Sequence, residues 1–162
     1  MRREKQIFSE DEIRFLRELT RNQVPFMVVG LGAAALQGAP MVTQDVDLWF
    51  KTLDHPGLSK TLRALDCSLT GSLGLMAPVF VGAGVECFDV VLTVHGVGTF
   101  DEELKRSVAI SMGDFELRAM PIDRIIASKT FLNREKDRMA LPALKSALKA
   151  LHARTPQPRP KK

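Results

Sequence analysis

The stretch Gly30–Phe50, GLGAAALQGAPMVTQDVDLWF, decides how the chain is read. A glycine turn opens an alanine-rich segment, predicted helical over residues 31–38, which Gly38-Ala39-Pro40 then breaks. The DVDLWF that follows reads as a strand. Alternation along a strand sends Asp45 and Asp47 to the same face, among valine, leucine, tryptophan and phenylalanine. Like charges held close repel, and burying them is costly unless something positive sits between them.

Working outward, VPFMVV (Val24–Val29) reads as a short buried strand ending at Gly30. Upstream, Ser9 and Glu12 have capping-box spacing, and Ile13, Phe15, Leu16 and Leu19 recur at helical intervals. Downstream, LSKTLRALD reads as an amphipathic helix with Leu58, Leu62 and Leu65 inward, while glycine-rich residues 67–84 receive no assignment. VECFDVVLTV (Val85–Val94) reads as a long strand, and two alternating runs around Gly113-Asp114 as a hairpin. Pro121 suits the first turn of a helix, with Asp123 near its positive end. That helix runs through Asn133, pauses at Arg134–Asp137 and resumes to about His152. The order α-β-α-β-α-β-hairpin-α-α predicts an α/β (α+β) fold, a small mixed sheet flanked by helices with further helices at the C-terminus.

Asp89 sits inside the apolar run ECFDVVL, as out of place as Asp45 and Asp47. If the second and third strands are neighbours, the three carboxylates converge at one edge of the sheet. Oxygen donors without clustered histidine or cysteine suit a hard cation, Mg²⁺ or Mn²⁺. Magnesium is usually bound through waters and substrate phosphates as well as carboxylates, so the positive partner becomes a metal–nucleotide complex. Gly30 and Gly32 fit, because a strand–glycine–helix junction offers bare backbone N–H groups to a phosphate.

A chain of 162 residues is one domain, expected over residues 1–152, followed by a basic tail, ARTPQPRPKK, expected to be disordered. The tail explains the net charge of +4: its four basic groups, taken from 23, leave 19 bases against 19 acids. No apolar run approaches the roughly 20 residues that span a bilayer. The charged N-terminus is not a secretory signal. Two isolated cysteines, Cys67 and Cys87, suit a reducing compartment, and a cytoplasmic location is expected. From Arg138 onward there are seven basic side chains and no acid; Arg138, Lys145, Lys149 and His152 share one helix face, apart from the stripe of Leu141, Leu144, Leu148 and Leu151.

Taken together, the glycine turn, TQDVDLWF and CFDVVL make the chain resemble the polymerase β-like nucleotidyltransferase superfamily, in particular small bacterial members of the toxin–antitoxin kind. The similarity extends through MPIDRIIASKTFLNREKDRMALPAL (Met120–Leu144) and covers roughly residues 24–150. The resemblance implies that Asp45 and Asp47 bind metal, and that Asp89 completes one metal site and helps deprotonate an acceptor. It implies a nucleotide, ATP or another NTP, held by Gly30, Leu31, Gly32 and Thr43, with Lys129 on the triphosphate and Arg134, Lys136 and Asp137 framing the pocket. The implied reaction moves a nucleoside monophosphate to a hydroxyl on tRNA, a protein or a small molecule, releasing pyrophosphate. The chain shows no obvious second domain to recognise a large acceptor, a surface that a partner protein or a homodimer could supply. Two positions depart from the family: Leu31 stands where glycine or serine is usual, and Met41 where arginine is frequent. They support a second reading, a module that binds nucleotide or regulates a partner without catalysis.

Overall fold

In a computed structural model, residues 7–71 and 76–154 are described. The capping box forms as its spacing predicts: Ser9 caps α1 (Glu10–Arg21) and Glu12 returns a bond to the Ser9 backbone. β1 (Phe26–Val29) leads directly into α2 (Gly30–Leu36), and β2 (Val46–Phe50) follows. α3 (Pro56–Ala64) packs beside α1. The segment left unassigned carries β3 (Ser68–Thr70) and β4 (Val79–Val81), two three-residue strands. β5 (Phe88–Val91), α4 (Phe100–Arg106), the hairpin of β6 (Val108–Ser111) and β7 (Glu116–Ala119), α5 (Ile122–Leu132) and α6 (Glu135–Arg154) complete the chain.

Three expectations need correction. The strand expected over residues 85–94 is only Phe88–Val91, because a turn occupies residues 83–87 and Val85 accepts the Phe88 N–H. β2 starts at Val46, so Asp45 lies in the bend before the strand rather than in it. α4 was not anticipated, although TFDE holds a second capping box, with Thr99 bonding the Glu102 N–H and Glu102 the Thr99 N–H. At the other end, α6 reaches Arg154, two residues past the expected stop. The expected tail from residue 155 onward lies outside the described residues.

The seven strands form one mixed sheet in the order β3-β4-β5-β2-β1-β7-β6. β2 runs antiparallel to β1 and parallel to β5, and β1 runs parallel to β7. Pairing places Phe26 and Phe50, and Val46 and Phe88, on one face of the sheet, where Phe15 of α1 packs against Phe80 and Phe88. The opposite face presents Asp47 and Trp49; Trp49 packs edge-on against Phe100 of α4 and donates its indole N–H to the Leu92 carbonyl at 3.2 Å. All four residues of β1 are buried, as expected of a central strand covered on both sides. No helix among the described residues is long and apolar enough to cross a membrane.

Candidate functional site

The site grows from one row of residues across the sheet: Val29 pairs with Asp47, and Asp47 with Asp89 on the adjacent parallel strand. Register partners share a face, so these two carboxylates stand side by side over the face that α4 also covers. Gly30 follows Val29 with φ +65°, a left-handed conformation that glycine adopts freely. A Cβ there would lie 2.7 Å from Asp47 Oδ2, so the missing side chain is the space the carboxylate uses. One backbone position therefore requires glycine for two independent reasons.

Across from the carboxylates, α5 and α6 bring cations. A cleft of about 280 Å³ is bounded by Gly30, Asp47 and Val91 on the sheet side and by Ser128, Lys129 and Arg134 on the helical side. Lys129 and Arg134 are tied together by Asp137, which is fully buried. Asp137 accepts from Arg134 Nε at 2.7 Å and from Lys129 Nζ at 3.3 Å. It also accepts from the Arg134 backbone N–H at 3.1 Å, as an acid at the third helical position does when it caps a helix. The junction works because Asn133 ends α5 in a left-handed conformation, φ 50°, which turns the chain sharply into α6. Bonding to the Arg134 guanidinium, ahead of the other contacts, holds the Asp137 carboxyl down at about 2. Asp137 is thus an anion throughout the neutral range.

The carboxylates on the sheet behave in the opposite way. Burial, and then repulsion from Asp89, raises the Asp47 pKa above the ordinary aspartate value, against the pull of Lys129 and Lys136. Burial, and then the charge of Asp45, raises that of Asp89. Asp45, Asp47 and Asp89 therefore sense one another, and the excess negative charge favours a positive ligand. Among the described residues, however, no group of three or more His, Cys, Asp or Glu side chains closes tightly enough to hold a metal ion. Asp45 is exposed ahead of the β2–β5 ladder, where the Thr43 hydroxyl holds its carbonyl at 2.5 Å. The arrangement is a side-by-side pair with a third carboxylate at its margin.

No family model matches the sequence, and no curated protein matches it. In three dimensions the chain is similar to ANT(2'')-Ia in its crystal structure with adenylyl-2''-tobramycin, at a TM-score of 0.55 and 13% identity over 86% of this chain and 88% of that one. It is also similar to the solution structure of the antibiotic-resistance factor ANT(2'')-Ia, at 0.57 and 13% over 88% and 83%. An antigenic nucleotidyltransferase-like protein from Paracoccidioides brasiliensis superposes at 0.50, with 15% identity over 91% and 90%. This is a nucleotidyltransferase fold.

On that fold, the sequence-predicted residues separate by position. Gly30, Asp47, Lys129 and Arg134 line the cleft, and Asp89 adjoins Asp47. Lys136 is exposed at the start of α6, and its charge reaches Asp47. Asp137 lies behind the cleft wall and orients the two cations. Gly32 is buried, and its hydrogen faces Val46, where a Cβ would come to 3.0 Å; it lets α2 sit close on β2. Leu31 and Met41 pack against the hydrophobic core. Neither is among the residues that line the cleft.

Several cleft residues were not singled out from the sequence. Thr93, Val94 and His95 form a wall of the cleft after β5, and Met120 and Ile125 line it as well. Thr93, Val94 and His95 stand in no motif; only the pairing of β5 with β2 brings their loop to the carboxylates. The loop is braced from behind. Glu103, 1% exposed, accepts from the Gly98 N–H at 2.9 Å and takes both arms of Arg124, at 2.6 and 2.9 Å. Arg124 stands on α5, the helix that carries Lys129, so this ion pair fixes the helix against the loop.

Proposed function

We propose that the chain is a metal-dependent nucleotidyltransferase that moves a nucleoside monophosphate from an NTP to a hydroxyl and releases pyrophosphate. One observation carries the reading: Asp47, side by side with Asp89 on the adjacent parallel strand, faces Lys129 and Arg134 across a cleft, on this fold. The charges are distributed as a metal–triphosphate needs them, anionic toward the ion and cationic toward the phosphates. The donor chemistry fits Mg²⁺ or Mn²⁺: all oxygen, no sulfur or imidazole in the pair, and a raised affinity for positive charge. Asp47 and Asp89 would hold the ion, with Asp45 joining from the bend. Bound there, the metal would polarise the reacting phosphoryl group and offset the charge that develops on it.

The chain's own residues then do the rest. Lys129 and Arg134, fixed by Asp137, orient the triphosphate. Gly30 keeps the backbone out of the space that the Asp47 carboxylate occupies. Asp89, raised in pKa and adjacent to Asp47, is placed to accept the proton of an incoming hydroxyl. The alternative of a binding module without catalysis rested on Leu31 and Met41. With both side chains packed on the core, neither adds bulk to the cleft nor favours that alternative.

Thermal unfolding with each NTP, with and without Mg²⁺, tests the reading; stabilisation should require both together. Incubation with α-labelled NTPs, total RNA and cell lysate should then transfer label to an acceptor, and Asp47→Asn should abolish the transfer. Stabilisation without transfer to any acceptor would favour the binding module, and no stabilisation by any nucleotide would end the proposal.

A further inference from the structure

The long helix α6 has an exposed flank that the cleft does not explain. Arg138, Lys145, Lys149 and His152 are all exposed, and their spacings of 7, 4 and 3 residues keep them within about 60° around the axis. No carboxylate among the described residues forms an ion pair with Arg138, Lys145 or Lys149. The helix has no acid beyond Asp137, which is buried beneath Arg134 and Lys129. Arg134 stands one turn ahead of Arg138, whose N–H it accepts at 3.0 Å, and lies on the same flank. Because Arg134 also lines the cleft, the row of cations ends at its edge.

We propose that this flank docks the backbone of a folded RNA whose strand end reaches the cleft, making that RNA the acceptor; the inference rests on the nucleotidyltransferase reading. From Arg138 to His152 the flank is about 21 Å long, at 1.5 Å per residue. A flank of that length faces several consecutive phosphates along one side of a stem. No Phe, Tyr or Trp occurs between Arg134 and Arg154, so the flank offers phosphate contacts without base stacking. Phosphate contacts without stacking suit a paired stem better than a single strand. A folded RNA combines such a stem with a free end that carries hydroxyls, which is what the reaction consumes.

The test uses the full-length chain and a fluorescein-labelled RNA hairpin with a short 3′ overhang. Anisotropy should give a log–log salt dependence that the variant Arg138→Gln/Lys145→Gln/Lys149→Gln lowers by about 3. The affinity carried by those three contacts should fall about 40-fold between 50 and 200 mM salt. The variant should keep its Mg²⁺·NTP thermal shift and lose label transfer to RNA. Unchanged affinity and salt slope in the triple variant would overturn the proposal. It would also be overturned if only the tail variant Arg159→Gln/Lys161→Gln/Lys162→Gln lost binding, or if anionic phosphatidylserine vesicles bound and the hairpin did not. Failure of the underlying reading is separate: the wild-type chain would then show no Mg²⁺·NTP shift at all, whatever RNA does.

Discussion

Replacing Gly30 by alanine separates the two demands on that position. At φ +65° an alanine meets a backbone penalty of roughly 1–2 kcal/mol. For a chain of this length each kcal/mol moves Tm by about 2–4 °C, so Gly30→Ala should melt roughly 2–8 °C lower. The new methyl would also meet Asp47 Oδ2 at 2.7 Å, where ordinary contact begins at 3.4 Å, so the carboxylate must move by about 0.7 Å. Its short side chain can rotate away at little cost in stability, but it then leaves its place beside Asp89. A misplacement approaching 1 Å at a reacting centre costs on the order of 10²-fold. Gly38→Ala is the matched control: φ is +93°, and no atom lies within 4 Å of the added Cβ. The two variants should melt similarly, while only Gly30→Ala loses label transfer, about 100-fold, together with most of the Mg²⁺·NTP shift. Transfer by Gly30→Ala within threefold of Gly38→Ala would refute the claim that this glycine exists to make room for the carboxylate.

Other expectations follow from the charges. Because the folded pKa values of Asp47 and Asp89 lie above the unfolded value, ionising them costs stability as pH rises from about 4 through the folded values. Asp47→Asn should therefore raise the urea midpoint of the ligand-free protein more at pH 7 than at pH 4, while abolishing transfer; a lower midpoint at pH 7 would contradict the repulsion. Asp137 has the opposite sign: its folded value of about 2 means that the stability it contributes is present above about pH 4 and is lost as pH falls toward 2. Asp137→Ala leaves Lys129 without its partner and should cost about 3 kcal/mol, measured by denaturant unfolding, and flatten that acid limb. Glu103→Gln removes the charge that faces Arg124 and should destabilise by a similar amount while raising KM for NTP, since α5 loses its brace to the Thr93–His95 wall.

The parts of the site legible in the sequence were those where one residue type is costly anywhere else. An aspartate inside an apolar strand marks itself, and the order of Asp47 and Asp89 in two such strands anticipated their pairing. Gly30 was visible for the same reason, although its contact with Asp47 required coordinates. What stayed hidden has no such local cost. β3 and β4 are three residues each, too short for alternation to register, and they form through pairing with one another and with β5. α4 was announced by a capping box but is only seven residues long, and its hold on the fold comes from distant partners, Trp49 for Phe100 and Arg124 for Glu103. Asp45 was misplaced because alternation was carried one residue beyond the end of the ladder. Gly32 looked like a partner to Gly30 in the turn, whereas its neighbour is Val46 across a helix–strand contact that spacing does not reveal.

The adjacency of β2 and β5 also bears on when the protein becomes competent. Asp47 and Asp89 are separated by about 40 residues of chain, and that loop must close before they meet. Local helices such as α1 can form early from their own caps, but the carboxylate pair is born only when two distant strands dock in parallel. A nascent, nicked or partly melted chain can thus look substantially helical while remaining chemically silent. Under the proposed function, nucleotide affinity would report that β2 has docked beside β5.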